Sequence, residues 1–306
     1  MRIYGTCSYL RTDFMNTTVK KKRFPPWLTI HHRPGKNSSD VESILRTRQL
    51  HTVCEEAACP NRNECFGRRT AAFMILGSVC SRNCAFCNIH SGQPQQPDDK
   101  EPQRIAEAAA ALGLKHVVIT SVTRDDLADG GSGFFAETIF QVRRRCPDVS
   151  IEVLIPDFKG EENALRTVIA ALPDIINHNI ETVPRLYPAV RPQAVYSRSL
   201  NLLKRVSEIS SIPGKSGIML GMGELYDEVL AVLRDLRAHG ADIITIGQYL
   251  APSSAHYPVA EFVHPDVFEK IRKYCLDIGF TYAASAPFVR SSYNAEEAVR
   301  ASGHSP

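Results

Sequence analysis

The sequence has almost no tryptophan, one residue in 306, and no window approaches the roughly 18 to 20 uninterrupted apolar residues that a membrane-spanning helix requires. A membrane partner is therefore not expected. A surplus of either charge is missing too: 36 Lys+Arg face 33 Asp+Glu, and a formal charge of +3 gives no chain-wide drive toward nucleic acid. Residues 1–24 carry Arg2, Arg11, Asp13 and the run Lys20-Lys21-Lys22-Arg23 but no apolar stretch of leader length, so no secretory leader is expected. Asp13 also makes a poor transit peptide, and the expected compartment is the cytoplasm. Internal repeats are absent, and the one biased tract is the short loop Gln93-Pro94-Gln95-Gln96-Pro97.

Cysteine is present in an odd number, nine, and six of the nine crowd into the 34 residues from Cys54 to Cys87. A disulfide framework would instead spread paired cysteines through a small secreted domain. In a reducing compartment, clustered thiols read first as metal ligands. Cys7, Cys146 and Cys275 stand alone and read as structural, with Cys7 exposed on an N-terminal arm.

That arm, residues 1–50, is polar and basic, with Pro25-Pro26-Trp27 as its packing anchor and Lys36-Asn37-Ser38-Ser39 as a turn or linker. From residue 71 onward, short apolar runs alternate with longer segments of helical period. The runs are 71–76, 116–120, 151–155, 174–178, 217–220 and 242–246; the helical candidates are 102–112, 134–145, 161–172, 197–209, 224–239 and 266–278. Near-continuous apolar runs suit parallel strands covered on both faces, and Gly113, Gly240 and Gly279 sit where helices should stop. Six strand-then-helix units imply right-handed crossovers and a parallel sheet, too few for a closed eight-fold barrel. The expected fold is α/β, a partial open (β/α)6 TIM-like barrel; an open doubly wound sheet has the same periodicity. The expected divisions are an arm at 1–50, a cysteine-bearing segment at 51–70, the barrel at 71–282 and a closing segment at 283–306.

Cys80-Ser81-Arg82-Asn83-Cys84-Ala85-Phe86-Cys87 is a CxxxCxxC triplet just past the first strand, on the side of a barrel where active sites are built. Three thiolates hold three irons of a 4Fe-4S cluster and leave the fourth iron open to chemistry, whereas a structural zinc site wants a fourth ligand that is not evident here. A second triad, Cys54, Cys59 and Cys65, comes shortly before it, with spacings too loose for a zinc knuckle. Glu55, Glu56, Asn61, Arg62, Asn63 and Glu64 make its surroundings too polar for buried free thiols in a core strand.

The triplet, with Phe86 before its last cysteine, resembles the signature of the radical SAM superfamily, whose members bind S-adenosylmethionine at the open iron. The preceding triad, together with Arg290-Ser291-Ser292-Tyr293, narrows the resemblance to the lipoyl synthase family, and the similarity runs over roughly residues 25–295. The resemblance implies a sulfurtransferase that replaces one hydrogen on each of carbons six and eight of a protein-bound octanoyl-lysine with sulfur. Two S-adenosylmethionines are consumed, and an auxiliary 4Fe-4S cluster held by Cys54, Cys59, Cys65 and Ser292 donates the sulfur. Ser292, more than Ser291, is the implied fourth ligand, and an alkoxide suits an iron that must be released. Arg290 is placed by analogy beside that serine or a cluster sulfide. Implied partners are octanoylated lipoyl carrier domains (2-oxoacid dehydrogenase acyltransferase subunits and the glycine cleavage H protein), ferredoxin or flavodoxin as electron donor, and a cluster-repair carrier.

Ser121, Thr123, Asn179 and Glu181 fall at the ends of candidate strands, where polar groups reach a bound S-adenosylmethionine or, equally well, cap loops. His178 has no assigned role, since radical abstraction needs no acid or base. Arg124-Asp125-Asp126 reads as a salt-linked loop, and Gly221-Met222-Gly223-Glu224 as a turn into a helix. The competing readings are a sulfur-inserting enzyme of free small molecules resembling biotin synthase, a two-cluster electron carrier and a zinc-stabilised binding protein. The N-terminal triad argues against the first, and the missing fourth cysteine of each site against the second.

Overall fold

The computed structural model describes residues 24–29, 38–57, 59–67, 71–292 and 297. Cys7, the Lys20-Lys21-Lys22-Arg23 run and Tyr293 lie outside these. In chain order the elements are α1 (Ser38–Thr47), β1 (His51–Thr52), α2 (Val53–Glu56), α3 (Arg62–Gly67), β2 (Ala72–Ile75), β3 (Val79–Cys80), β4 (His90–Ser91), α4 (Glu101–Leu112), β5 (His116–Ser121), α5 (Ser132–Arg145), β6 (Ser150–Leu154), α6 (Glu162–Ala170), β7 (Ile175–Asn177), α7 (Tyr187–Val190), α8 (Tyr196–Ile209), β8 (Gly214–Leu220), α9 (Tyr226–Ala238), β9 (Ala241–Gln248), α10 (Pro265–Asp277) and β10 (Tyr282–Ser285).

The apolar runs became strands because both of their faces are covered: every residue of β2 and β7 is buried, and so are five of the six in β5. The main sheet has the order β1-β2-β5-β6-β7-β8-β9-β10, and its two ends do not pair with one another among the described residues. All neighbours run parallel except β1, which lies antiparallel on β2 with His51 opposite Met74. Six β/α units are thus present, as the periodicity predicts, with a seventh parallel strand, β10, closing the series. β10 continues past residue 282, where the sequence reading placed the end of the barrel.

The inner face is polar at its floor. Lys215 on β8 reaches across β7 to both carboxylate oxygens of Glu152 on β6, at 2.9 Å each, with both side chains 0% exposed. Asn177 donates to the same carboxylate at 3.1 Å. The apolar cores lie outside the sheet, under α4, α5 and α6 on one side and under α8, α9 and α10 on the other. Cys275 is buried in the second of these and Cys146 half-buried at the end of α5, as isolated structural thiols should be.

Two local readings differ from expectation. Ser38 and Ser39 open α1 instead of forming a linker, because serine followed by Asp40 is a helix start as readily as a turn. The helix expected to run to Leu172 stops at Ala170: Pro173 bars helical geometry at the residue before it, and Leu172 takes a φ of 57°. Trp27 anchors as expected, edge-on to His264 at 4.9 Å between ring centroids.

Candidate active site

The Cys80, Cys84 and Cys87 loop leaves β2 at its C-terminal end and is tied across the mouth of the barrel. The Thr123 and Arg82 amides both point at the Cys80 sulfur, at 3.4 Å each. Ser81 donates through its amide (3.0 Å) and hydroxyl (2.8 Å) to the Thr123 carbonyl. Ala85 donates to the Val190 carbonyl at 2.9 Å and receives the Tyr257 amide at 2.8 Å. Burial pushes the Cys87 thiol up to about 12, and the charges of Cys84 and Cys80 add to the rise. Burial raises Cys84 too, opposed by the Arg191 and Arg82 guanidiniums and reinforced by Cys80 and Glu181. The three sulfurs thus lie within one another's fields, and iron must displace their protons to bind.

Arg82, inside the motif, engages carboxylates with its guanidinium. It donates to Asp125 at 2.7 and 3.0 Å and to Asp157 at 2.5 Å, and Arg198 adds a second cation to Asp157 at 3.2 Å. Burial works to raise the Asp157 pKa, but the hydrogen bond and charge of Arg82 outweigh it and bring it down to about 2. Asp126 pairs with Arg124 at 2.7 Å. The run Arg124-Asp125-Asp126 is therefore salt-linked, as expected, with its two carboxylates held by different arginines.

The second triad is carried by the short segment that pairs onto β2. Thr52 caps α2 by accepting the Glu55 amide at 3.3 Å, which presents Cys54 toward the Ala72 amide. Burial pushes Cys54 up to about 11; the Ala72 amide lowers it and the Cys59 charge raises it again. Cys65 lies on α3, its amide bonded to the Asn61 carbonyl at 2.9 Å. The loops that carry the two triads touch: Asn88, next to Cys87, donates to the Glu56 carbonyl at 2.7 Å. Among the described residues no three His, Cys, Asp or Glu side chains converge as ligands of a single ion do. A multi-iron cluster places each thiolate on a different iron, and two sets of three buried or half-buried free thiols without a fourth cysteine fit that donor pattern.

After β10 the chain turns back over the barrel mouth. Gln248 donates its amide to the Pro287 carbonyl at 3.1 Å, and Asn61 donates to Phe288 O at 2.7 Å, joining the second triad's loop to a segment 227 positions away. Arg290 is half-buried, and loss of solvent lowers its pKa while the nearby Cys59 raises it. Its guanidinium donates to the Val289 carbonyl at 2.7 Å. Asn179 donates to the Ser291 hydroxyl at 2.7 Å, and Ser292 is the next residue of this strap.

At the centre of the mouth, buried polar atoms stand without partners: Ser121 Oγ, Asn179 Oδ1 and Arg191 Nε. These are the groups a bound polar molecule would satisfy. Thr123 contributes its backbone to the cysteine loop, and Phe86 is half-buried against the α8–α10 core. Glu181 has a φ of 67°; burial raises its carboxyl, and Arg191 opposes the rise. His178 is fixed between the Ile155 carbonyl and Ser199, at 2.9 Å each, which accounts for it structurally. Gly221-Met222-Gly223-Glu224 forms the expected turn, with Glu224 accepting the Gly221 and Met222 amides at 2.5 and 2.9 Å.

Arg191 escaped the sequence reading. It donates to the carbonyls of Asn179 (3.1 Å) and Ile180 (2.9 Å) and to the Tyr187 hydroxyl (3.1 Å), and its charge reaches Cys84 and Glu181. Nothing in its sequence surroundings marks it except an arginine directly after the apolar α7.

Comparison with known proteins agrees with this geometry. The radical SAM superfamily model matches residues 74–236, and the model of the N-terminal domain of lipoyl synthase matches residues 9–59. The chain is 54% identical to a lipoyl synthase of Alkaliphilus metalliredigens over 91% of its own length and 96% of that protein's. It is 53% identical to one from Nitratidesulfovibrio vulgaris, over 91% and 93% of the two chains. Among solved structures, Streptococcus suis SuiB bound to S-adenosylmethionine superposes with a TM-score of 0.54 at 12% identity, covering 69% of this chain and 49% of that one. The [FeFe]-hydrogenase maturase HydG gives 0.51 at 16%, covering 87% and 75%, and these two likenesses concern the fold alone. With half its residues shared along nine-tenths of its length, the chain belongs to the lipoyl synthase family of the radical SAM superfamily.

Proposed function

We propose that Cys80, Cys84 and Cys87 hold the cluster that engages S-adenosylmethionine, and that Cys54, Cys59, Cys65 and Ser292 hold the auxiliary cluster. Lipoyl synthases use these groups to generate a 5′-deoxyadenosyl radical that takes hydrogen from octanoyl carbons six and eight, and to replace each with cluster-derived sulfur. The observation that supports the residue assignment is the Asn61 to Phe288 hydrogen bond, which ties the strap that carries Ser292 to the loop of the second triad.

The protein's own groups have distinct tasks around that chemistry. Arg82, held by Asp125 and Asp157, fixes the cysteine loop to the ends of β5 and β6. Arg191 provides a buried cation beside Cys84 and Glu181, and with Ser121 and Asn179 offers unfilled hydrogen-bonding positions suited to a bound amino acid and ribose. Thr123 holds Cys80, Phe86 lends apolar wall, and Arg290 faces Cys59. The Asn88 link holds the two cysteine loops side by side, so that clusters bound there would both be within reach of one acyl chain.

The substrate class is an octanoylated lipoyl domain. The acyltransferase subunits of 2-oxoacid dehydrogenases and the glycine cleavage H protein are the proposed carriers, with ferredoxin or flavodoxin as electron donor, a separate cluster-repair carrier and a cytoplasmic location. No helix among the described residues is long and apolar enough to cross a membrane. Anaerobic reconstitution should give roughly eight irons per chain. Incubation with S-adenosylmethionine, reductant and an octanoyl-lysyl peptide should then yield 5′-deoxyadenosine and a dithiolated peptide. Loading of a single cluster, or sulfur insertion into free octanoate alone, would refute the assignment.

A further inference from the structure

Two serines stand side by side in the strap, and either hydroxyl has the chemistry of an iron ligand. The fold treats them differently. Gly247 on β9 leaves room for the strap to pass, and Gly217 on β8 leaves room for Asn179. A Cβ on Gly247 would collide with the Val289 carbonyl oxygen and stand 3.1 Å from the Arg290 guanidinium. A Cβ on Gly217 would stand 2.7 Å from Asn179 Oδ1 and 2.9 Å from Thr245 Oγ1. Asn179 is thereby aimed inward over β8, and its amide holds the Ser291 hydroxyl at 2.7 Å. One residue earlier, Arg290 lies in the field of Cys59, and Phe288 is hydrogen-bonded to Asn61. The strap therefore faces the barrel at Ser291 and the second triad at Phe288 and Arg290.

We propose that Gly247 and Asn179 are positioning residues that set the register of this strap, committing Ser291 to the barrel wall and leaving Ser292 as the hydroxyl available to the auxiliary cluster. The proposal rests on the functional reading above. It goes beyond it by assigning the choice between the two serines to a glycine and an asparagine that contact neither cysteine triad. Asn179, read from the sequence as a cofactor contact, then has a second task through its Nδ2 while its Oδ1 remains free.

The register is testable in the full-length chain by two independent readouts. In the apoprotein, trypsin should cut after Arg290 roughly tenfold faster in Gly247→Ala than in the unaltered chain, because the strap no longer seats; an unchanged rate would overturn the slot. In the reconstituted protein with S-adenosylmethionine present, electron paramagnetic resonance counts auxiliary clusters that have lost one iron. Ser292→Ala should raise that three-iron signal several-fold and Ser291→Ala should not. Adding Asn179→Ala to Ser292→Ala should lower the signal again, since the released Ser291 can take the iron; Asn179→Asp, which keeps the shape and removes the amide donor, should do the same. Equal signals from the two serine variants, or a Ser292→Ala signal indifferent to Asn179, would overturn the proposal. If Cys54→Ala also leaves the iron count unchanged, the failure lies with the auxiliary-cluster assignment itself.

Discussion

Arg82 shows how a residue inside a ligand motif can serve the scaffold. Its side chain is 7% exposed and Asp157's is 1%, so their charges are held in the interior only by one another and by Asp125 and Arg198. Asp157→Asn leaves the guanidinium short of a carboxylate, and the expected loss is about 3 kcal/mol, read as a lower midpoint in denaturant titration of the apoprotein. No change in midpoint would remove the clamp from the account. His178 gives the pH dependence. Its folded pKa is depressed by burial to about 4 from an ordinary 6.5, so the unfolded chain binds more protons between those values. Stability should be full above pH 6.5 and fall by up to about 3 kcal/mol as pH drops toward 4, and His178→Gln should flatten that slope. These roles were not legible in the sequence. The six cysteines are marked by spacing within a short stretch, whereas Arg82 finds Asp157 at a distance of 75 positions and Arg191 carries no local mark at all.

At the scale of elements, legibility followed hydrophobicity. Six parallel strands announced themselves as apolar runs, but β10 reads Tyr-Ala-Ala-Ser and owes its place to pairing with β9, a non-local cause. β1 has only two residues and exists because it lies on β2, which no periodicity can report. The polar floor joins β6, β7 and β8 through Glu152, Asn177 and Lys215. A buried pair of this kind is costly to break and cheap to replace. Lys215→Met should destabilise the fold by about 3 to 5 kcal/mol, and Lys215→Met with Glu152→Leu should recover most of that loss. Additive losses in thermal denaturation would show that the two side chains are not coupled.

For the whole molecule, the consequence of the fold is adjacency. The parallel sheet carries one cysteine loop at the end of β2. An antiparallel addition to the same strand carries the other, the two loops are hydrogen-bonded through Asn88 and Glu56, and the strap after β10 returns to meet the second loop at Asn61. The resemblance marks the two cysteine triads and the serine segment as candidates from the sequence alone; their mutual placement needed the structure, because Asn88, Asn61 and Asn179 act through partners remote from them in the chain. The central claim is a division of labour between the triads, and one measurement addresses it directly. Cys54→Ala and Cys80→Ala chains, reconstituted anaerobically, are incubated with S-adenosylmethionine, dithionite and an octanoyl-lysyl peptide, with 5′-deoxyadenosine and thiolated peptide quantified together. Cys54→Ala should still form 5′-deoxyadenosine and give no thiolated product, and Cys80→Ala should form neither; thiolated peptide from Cys54→Ala, or 5′-deoxyadenosine from Cys80→Ala, would contradict the account.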